Sequence, residues 1–177
     1  MNNGKAWMWG AVMLSLAGCR SAAEPPPRDV FEPWDGVWQG HFRVLEGDEV
    51  VTELRVTQRY WSERPGLQHG RFREVDVETQ KVVTATAVNE RLRDGLRCTV
   101  VKSTGERVVH RGRWTGEAIE WFRETQDVKE FFREAIVSKD GETHYEIRGW
   151  GRYDGGPRLD FEGRYRKVGT ERQARPP

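Results

Sequence analysis

Apolar and charged residues alternate one for one along most of this chain, and that period of two is what most restricts its fold. The pattern is clearest near the C-terminus. Tyr145, Ile147, Gly149, Gly151 and Tyr153 fall on one side of an extended segment. His144, Glu146, Arg148 and Arg152 fall on the other, with Trp150 out of step. After Asp154-Gly155-Gly156-Pro157 the alternation resumes: Leu159, Phe161, Gly163 and Tyr165 against Asp160, Glu162, Arg164 and Arg166. Residues two apart share a face on a strand and not on a helix. Two such segments joined by a Gly-rich turn make an antiparallel hairpin with one apolar and one charged side.

The same grammar runs back to Trp34. It predicts strands over 36–45, 49–60, 68–77, 81–89, 95–102, 106–114, 117–124, 128–138, 142–153 and 158–167. Turn residues fill the gaps: Glu46-Gly47-Asp48, Arg93-Asp94-Gly95, Ser103-Thr104-Gly105, Thr115-Gly116 and Lys139-Asp140-Gly141. Such short connections make successive strands neighbours. Within 125–136, Val128, Phe131, Phe132, Ala135 and Ile136 could also form a helical stripe, but length and flanks favour a strand. Gly-Arg-aromatic recurs at Gly70-Arg71-Phe72, Gly112-Arg113-Trp114, Gly151-Arg152-Tyr153 and Gly163-Arg164-Tyr165. Glycine lets a sheet bend, and the ring two residues on can cover the bare backbone. Strongly coiled sheets close into barrels. The expected fold is all-β: an antiparallel up-and-down barrel of about ten strands, with no substantial helix outside the apolar N-terminal run.

That run, Ala6 to Gly18, follows Lys5 and contains no acid. A positive start, a short apolar core and small closing residues make a secretory signal. It is too short to span a bilayer, which takes roughly 20 residues. It ends Leu16-Ala17-Gly18-Cys19, which resembles the lipobox of bacterial lipoproteins. The resemblance implies cleavage between Gly18 and Cys19, covalent lipid (palmitate-type acyl chains) on Cys19, and a stable membrane anchor. Arg20, where an Asp would favour inner-membrane retention, points to the outer membrane with the domain in the periplasm, surface display being the other arrangement. Pro25-Pro26-Pro27 reads as a stiff spacer, or as a ligand for a proline-binding module. The expected organisation is a signal peptide at 1–18, a Pro-rich tether at 19–33, a barrel at 34–168 and a disordered tail at 169–177.

Removing residues 1–18 takes away one Lys and leaves 28 basic against 28 acidic residues. That balance excludes an electrostatic nucleic-acid binder. With Cys19 lipidated, only Cys98 remains, so no disulfide framework is possible. Cys98 lies between Leu96 and Val100 on one face, which suits an inert core thiol better than a nucleophile.

Asp35-Gly36-Val37-Trp38-Gln39-Gly40-His41-Phe42 resembles the first strand of lipocalin-like (calycin) barrels, where Gly-x-Trp opens strand one. The resemblance implies structural roles for Gly36 and Trp38, with Trp38 closing the narrow end. It also implies a basic residue of the last strand over that ring, Arg164 or Arg166 here. About ten strands exceed the eight of lipocalins, and 43–50 leaves no room for the helical lid of fatty-acid-binding proteins. Nitrobindin-like barrels fit the count and bind haem through a histidine. Of His41, His69, His110 and His144, His110 is the first candidate ligand, since it shares a face with Val108 and Trp114. A satisfied core or rim histidine is the ordinary reading, and no metal or cofactor beyond the lipid on Cys19 is expected.

No catalytic signature is present. Alternation could place Glu130 or Glu134 inside beside Phe132, where burial would raise a carboxyl pKa, but a solvated Glu–Arg ladder is the simpler outcome and enzymatic activity is not expected. Two functional readings stand. In the first, the barrel holds a small apolar or amphipathic, lipid-like ligand, lined by Phe42, Trp114, Tyr145, Tyr153, Phe161 and Tyr165. Small inner residues (Ala85, Ala87, Gly112, Gly149, Gly151, Gly163) lean towards a hollow interior. In the second, the barrel is solid and docks an envelope protein through a loop around Arg64-Pro65 that exposes Tyr60, Trp61, Arg64 and Leu67.

Overall fold

A computed structural model describes residues 26–139, 141–174 and 176. The lipobox and the site of lipidation at Cys19 lie outside the described residues. Ten antiparallel strands form the fold: β1 (Gly36–Glu46), β2 (Glu49–Arg64), β3 (Leu67–Asp76), β4 (Val82–Leu92), β5 (Gly95–Lys102), β6 (Arg107–Trp114), β7 (Ala118–Glu124), β8 (Val128–Lys139), β9 (Glu142–Tyr153) and β10 (Arg158–Gly169). Each pairs with its sequence neighbour, and β1 pairs with β10, so the sheet closes. A 3-10 turn at Glu32–Trp34 precedes β1, and a four-residue helix at Glu171–Ala174 follows β10. The possible helical stripe at 125–136 is not formed. β8 runs extended from Val128 through Lys139, because Phe132 and Glu134 turn inward while Phe131 turns out onto Phe122, with ring centroids 5.4 Å apart.

The alternation sets the two faces. Tyr145 opposes Tyr165 and Gly149 opposes Phe161 in the β9–β10 ladder, all four inward. Trp150 breaks the pattern without cost, since it faces outward under the Arg158 guanidinium, 5.3 Å from the ring centre. The small inner residues do not simply leave space. A Cβ at Gly112 would stand 2.4 Å from the Trp121 ring, and at Gly151 2.7 Å from that of Phe161. Rings fill those positions.

Two glycines hold the β1 edge. Gly36 has φ +131, a backbone conformation that favours glycine, and a Cβ there would lie 2.7 Å from the Gly169 carbonyl oxygen. At Gly40 a Cβ would lie 1.9 Å from the carbonyl oxygen of Arg164. That contact is backbone and cannot rotate away, so β1 and β10 would have to part. Gly40→Ala is expected to cost about 2–3 kcal/mol, read as a lower urea midpoint with an unchanged slope.

One end of the barrel is packed shut. Val30, Phe31, Trp34, Trp38, Val56, Tyr60, Leu96, Ile119, Trp121, Tyr145, Ile147 and Tyr165 form one buried cluster. The segment before β1 crosses this end as a plug. Gln68 donates from Nε2 to the Phe31 carbonyl at 2.9 Å and to Asp35 Oδ1 at 2.7 Å. Asn89 donates to Gln68 Oε1 at 2.9 Å, and the Ser62 amide to Asp35 Oδ2 at 3.0 Å. Val30 and Phe31, placed in the tether from sequence, are thus core residues, each 2 % exposed. Two apolar side chains among prolines and charges suffice for a plug when a barrel end awaits them.

Trp38 is fully buried, and its Nε1 donates to the Trp34 carbonyl at 2.7 Å. The base over its ring is neither Arg164 nor Arg166 but Lys167, whose Nζ lies 5.2 Å from the ring centre. Arg164 and Arg166 have the outward parity. Lys167 continues the inward parity of Tyr165 and falls opposite Trp38 in the unbroken β1–β10 register; the bulge lies beyond that pair, between Val37 and Trp38.

Candidate functional site

Above the plugged end the interior changes character. Phe42, Leu54, Phe72, Cys98, Val100, Phe132 and Glu134 all point inward from within their strands, yet all are half-buried rather than buried. The inward face on this side is thus less deeply buried than the packed base, against which Phe42, Leu54, Phe72, Cys98 and Phe132 rest. Its apolar lining is continuous. The Phe132 and Phe161 rings stack at 5.2 Å, Phe42 meets Phe161 at 5.8 Å, and His110 meets Phe132 edge-on at 5.6 Å.

A polar cluster interrupts the lining where the wall is thinnest. The β6–β7 ladder is short, joining Arg111–Trp114 to Ile119–Phe122 and no further. His110 and Arg123, the next residue on each strand, connect instead through Glu130 of β8. His110 Nε2 is 3.1 Å from Glu130 Oε2, and the Arg123 guanidinium is 3.4 Å from the same oxygen. The Tyr153 hydroxyl donates to Glu130 Oε1 at 2.5 Å. Burial opposes ionisation of Glu130. The hydrogen bonds from His110 and Tyr153 and the charges of His110 and Arg123 outweigh it, and hold this carboxyl below its ordinary pKa.

Glu134, two inward positions further along β8, makes no ion pair among the described residues. It opposes Ile119 on one side and Ile147 on the other. Burial pushes its pKa from 4.5 up to about 7, against the pull of Trp121, Tyr145 and His110. Tyr60, Tyr145 and Tyr165 converge on it from β2, β9 and β10. Burial first, and the Glu134 charge second, push all three phenols well above their ordinary range. Cys98 points into the same space, and burial with the Glu134 charge raises its thiol well out of the reactive range. Nearer the mouth, burial also raises the Glu74 carboxyl, partly offset by Lys102.

The residues singled out from sequence divide by depth. Phe42, Tyr153 and Phe161 point inward on the side away from the base, Phe42 and Tyr153 half-buried and Phe161 buried. Trp114, Tyr145 and Tyr165 point inward as expected but belong to the packed base, where Trp114 meets Trp34 at 6.4 Å and Tyr145 meets Trp38 at 5.7 Å. The docking loop is not a loop. β2 continues to Arg64, Pro65 and Gly66 make the turn, and β3 starts at Leu67. Tyr60 is 5 % exposed and faces the core, so it cannot join an exposed patch. Trp61 stacks on His69 at 5.6 Å, Arg64 is exposed and Leu67 is half-buried. Of the four histidines, His41, His69 and His144 pair with Glu53, Glu63 and Glu142. His110 alone faces the lumen, and its Nε2 is already held by Glu130, with which a haem iron would compete. Phe72, Phe132 and Arg123 were not singled out, although parity alone puts Phe132 on the same face as Glu130 and Glu134.

A groove of about 750 Å³ lies on the outer wall, along Arg55, Arg73, Arg164 and Arg166. It belongs to the solvated charged face, whereas Glu130 and Glu134 face the barrel interior.

No family model matches the chain, and no curated protein matches it. Among solved structures, the chain is similar to a de novo designed fluorescence-activating β-barrel, at 16 % identity and a TM-score of 0.43, over 79 % of this chain and 98 % of that one.

Proposed function

We propose that this barrel binds a small amphipathic, lipid-like molecule in its lumen, and that the protein does so at a bacterial outer membrane, facing the periplasm, held by lipid on Cys19. One observation carries the first part. The inward rings Phe42, Phe72 and Phe132 are only half-buried, inside a closed wall and above a base closed by the buried Trp38. An apolar chamber with a few placed polar groups is the usual form of a small-molecule site. The second part rests on Leu16-Ala17-Gly18-Cys19 and Arg20. Docking of an envelope protein loses its best patch with the burial of Tyr60.

The chain from Arg20 onward keeps every described residue. Secreted into a bacterial periplasm behind a cleavable signal and examined by native mass spectrometry, it is expected to carry a discrete extra mass that leaves on denaturation. A bare protein mass, unchanged after incubation with fatty acids and phospholipid, overturns the reading.

A further inference from the structure

We propose that the groove on the outer wall, with Arg55 and Arg73 on one flank and Arg164 and Arg166 on the other, binds a phosphate-bearing anion. The site lies outside the lumen and does not depend on what the lumen holds.

With residues 1–18 set aside, 28 basic residues face 28 acidic ones, so a local excess of one sign is a matter of placement. Much of the outer wall sets an acid across from a base. Arg43 opposes Glu53, Arg97 opposes Glu90 and Arg113 opposes Glu120. These pairs close at 3.1, 2.8 and 2.6 Å. Four neighbouring strands break the pattern. Along one row, Arg166 of β10, Gln39 of β1, Thr57 of β2 and Arg73 of β3 stand side by side. Beyond its ends come His144 and Thr84. The next row runs Arg164, His41, Arg55 and Val75. Neither row contains an acid.

Among the described residues, only Arg164 of these four arginines pairs with an acid, Glu146 at 3.9 Å. Arg55 donates to the neutral Gln80 Oε1 at 3.1 Å and so keeps its charge. Glu53 stands 3.1 Å from His41, and Glu142 3.6 Å from His144. None of these three acids lines the groove.

Shape is the second observation. Adjacent strands lie about 4.8 Å apart, so Arg73 and Arg166 rise from backbones roughly 14 Å apart. Thr57 and Gln39 between them are shorter, and all four arginines line the groove of about 750 Å³. A smaller groove, of about 410 Å³ along Arg43, Arg148 and Arg164, has Glu146 and Glu162 in its own lining. The larger groove has the arginines without the acids. A cleft of one sign concentrates ions of the other. Guanidinium forks bind phosphate oxygens in pairs, and forks from two flanks suit a tetrahedral phosphate better than a planar carboxylate.

Phosphate could arrive free in solution or on a lipid headgroup, and the test separates the two. Inorganic pyrophosphate is titrated calorimetrically into the protein from Arg20 onward, at neutral pH and low salt. It is expected to bind, with citrate, which carries similar charge on carboxylates, roughly tenfold weaker. Arg73→Gln and Arg166→Gln together should weaken pyrophosphate binding by roughly tenfold or more. Arg111→Gln and Arg152→Gln together remove as much charge from outward positions outside the groove, and should leave binding within about twofold of wild type. Should the first double variant not fold, Arg73→Gln alone, between two threonines, is expected to show a smaller loss of the same kind. Co-sedimentation with phosphatidylcholine vesicles, with and without phosphatidic acid, identifies the source. Binding that needs phosphatidic acid and is lost with Arg73 and Arg166 assigns a lipid headgroup; pyrophosphate binding without it assigns a soluble phosphate. Equal losses in the two double variants, citrate as tight as pyrophosphate, or binding of neither phosphate probe would overturn the inference and leave the reading of the lumen untouched.

Discussion

Trp38→Ala is expected to destabilise the barrel by about 3–5 kcal/mol, the range for a fully buried large aromatic side chain, and to do so through both of its faces. Trp38 is 0 % exposed. Its ring meets Tyr145 at a T-shaped 5.7 Å, Lys167 lies over it, and its Nε1 donates to the Trp34 carbonyl. Truncation opens a cavity the neighbours cannot close, since the plug residues Val30, Phe31 and Trp34 are held by Gln68 and Asp35. It also removes the donor to a carbonyl enclosed in the base, which adds roughly 1 kcal/mol or more. Trp38→Phe restores part of the packing and none of the hydrogen bond, so it should fall between wild type and alanine. Urea unfolding followed by far-ultraviolet circular dichroism reads the order directly. An alanine variant within about 1 kcal/mol of wild type would mean that the plug, not Trp38, closes the base.

Local periodicity carried most of the fold and little of the depth. Tyr145, Ile147 and Tyr153 on one side and Glu146, Arg148 and Arg152 on the other are legible because a pleat sorts neighbours without reference to the rest of the chain. Closure of β1 on β10 is not local, and neither is height along the barrel axis. Parity therefore put Trp114, Tyr145 and Tyr165 correctly inside, yet it could not distinguish the packed base from the open chamber. That distinction depends on the stagger between strands, which no single strand contains. The error at 60–67 has a related cause. Trp-Ser-Glu-Arg-Pro-Gly carries loop-forming residues, but only Pro65 and Gly66 are spent on the turn, and Tyr60 stays in the pleat. Lys167 was missed although it keeps the inward parity of Tyr165, because its place opposite Trp38 is a pairing between strands that neither strand shows alone. At β8, acids and aromatics share the inward face, so a hydrophobic count sees a weak strand. The functional signal was that very anomaly: Glu130 and Glu134 on the parity of Phe132.

Glu134→Gln is expected to stabilise the protein at about pH 8 by about 3 kcal/mol and to leave it nearly unchanged near pH 4, a size set by a carboxyl raised from 4.5 to about 7. The sign follows from proton uptake. Between those two values the folded chain holds a proton on Glu134 that the unfolded chain has released, so stability falls as pH rises. The contribution is full below 4.5, is lost as pH passes about 7, and is level above. Glutamine keeps the shape and the neutral form at every pH, so its curve should lack this descent. Urea midpoints of both proteins across this span test it, and parallel curves would place Glu134 in contact with water throughout. Structural acids in this chain behave in the opposite way: Glu130, on the same face of β8, is held ionised by His110, Tyr153 and Arg123, and closes the wall where the β6–β7 ladder ends.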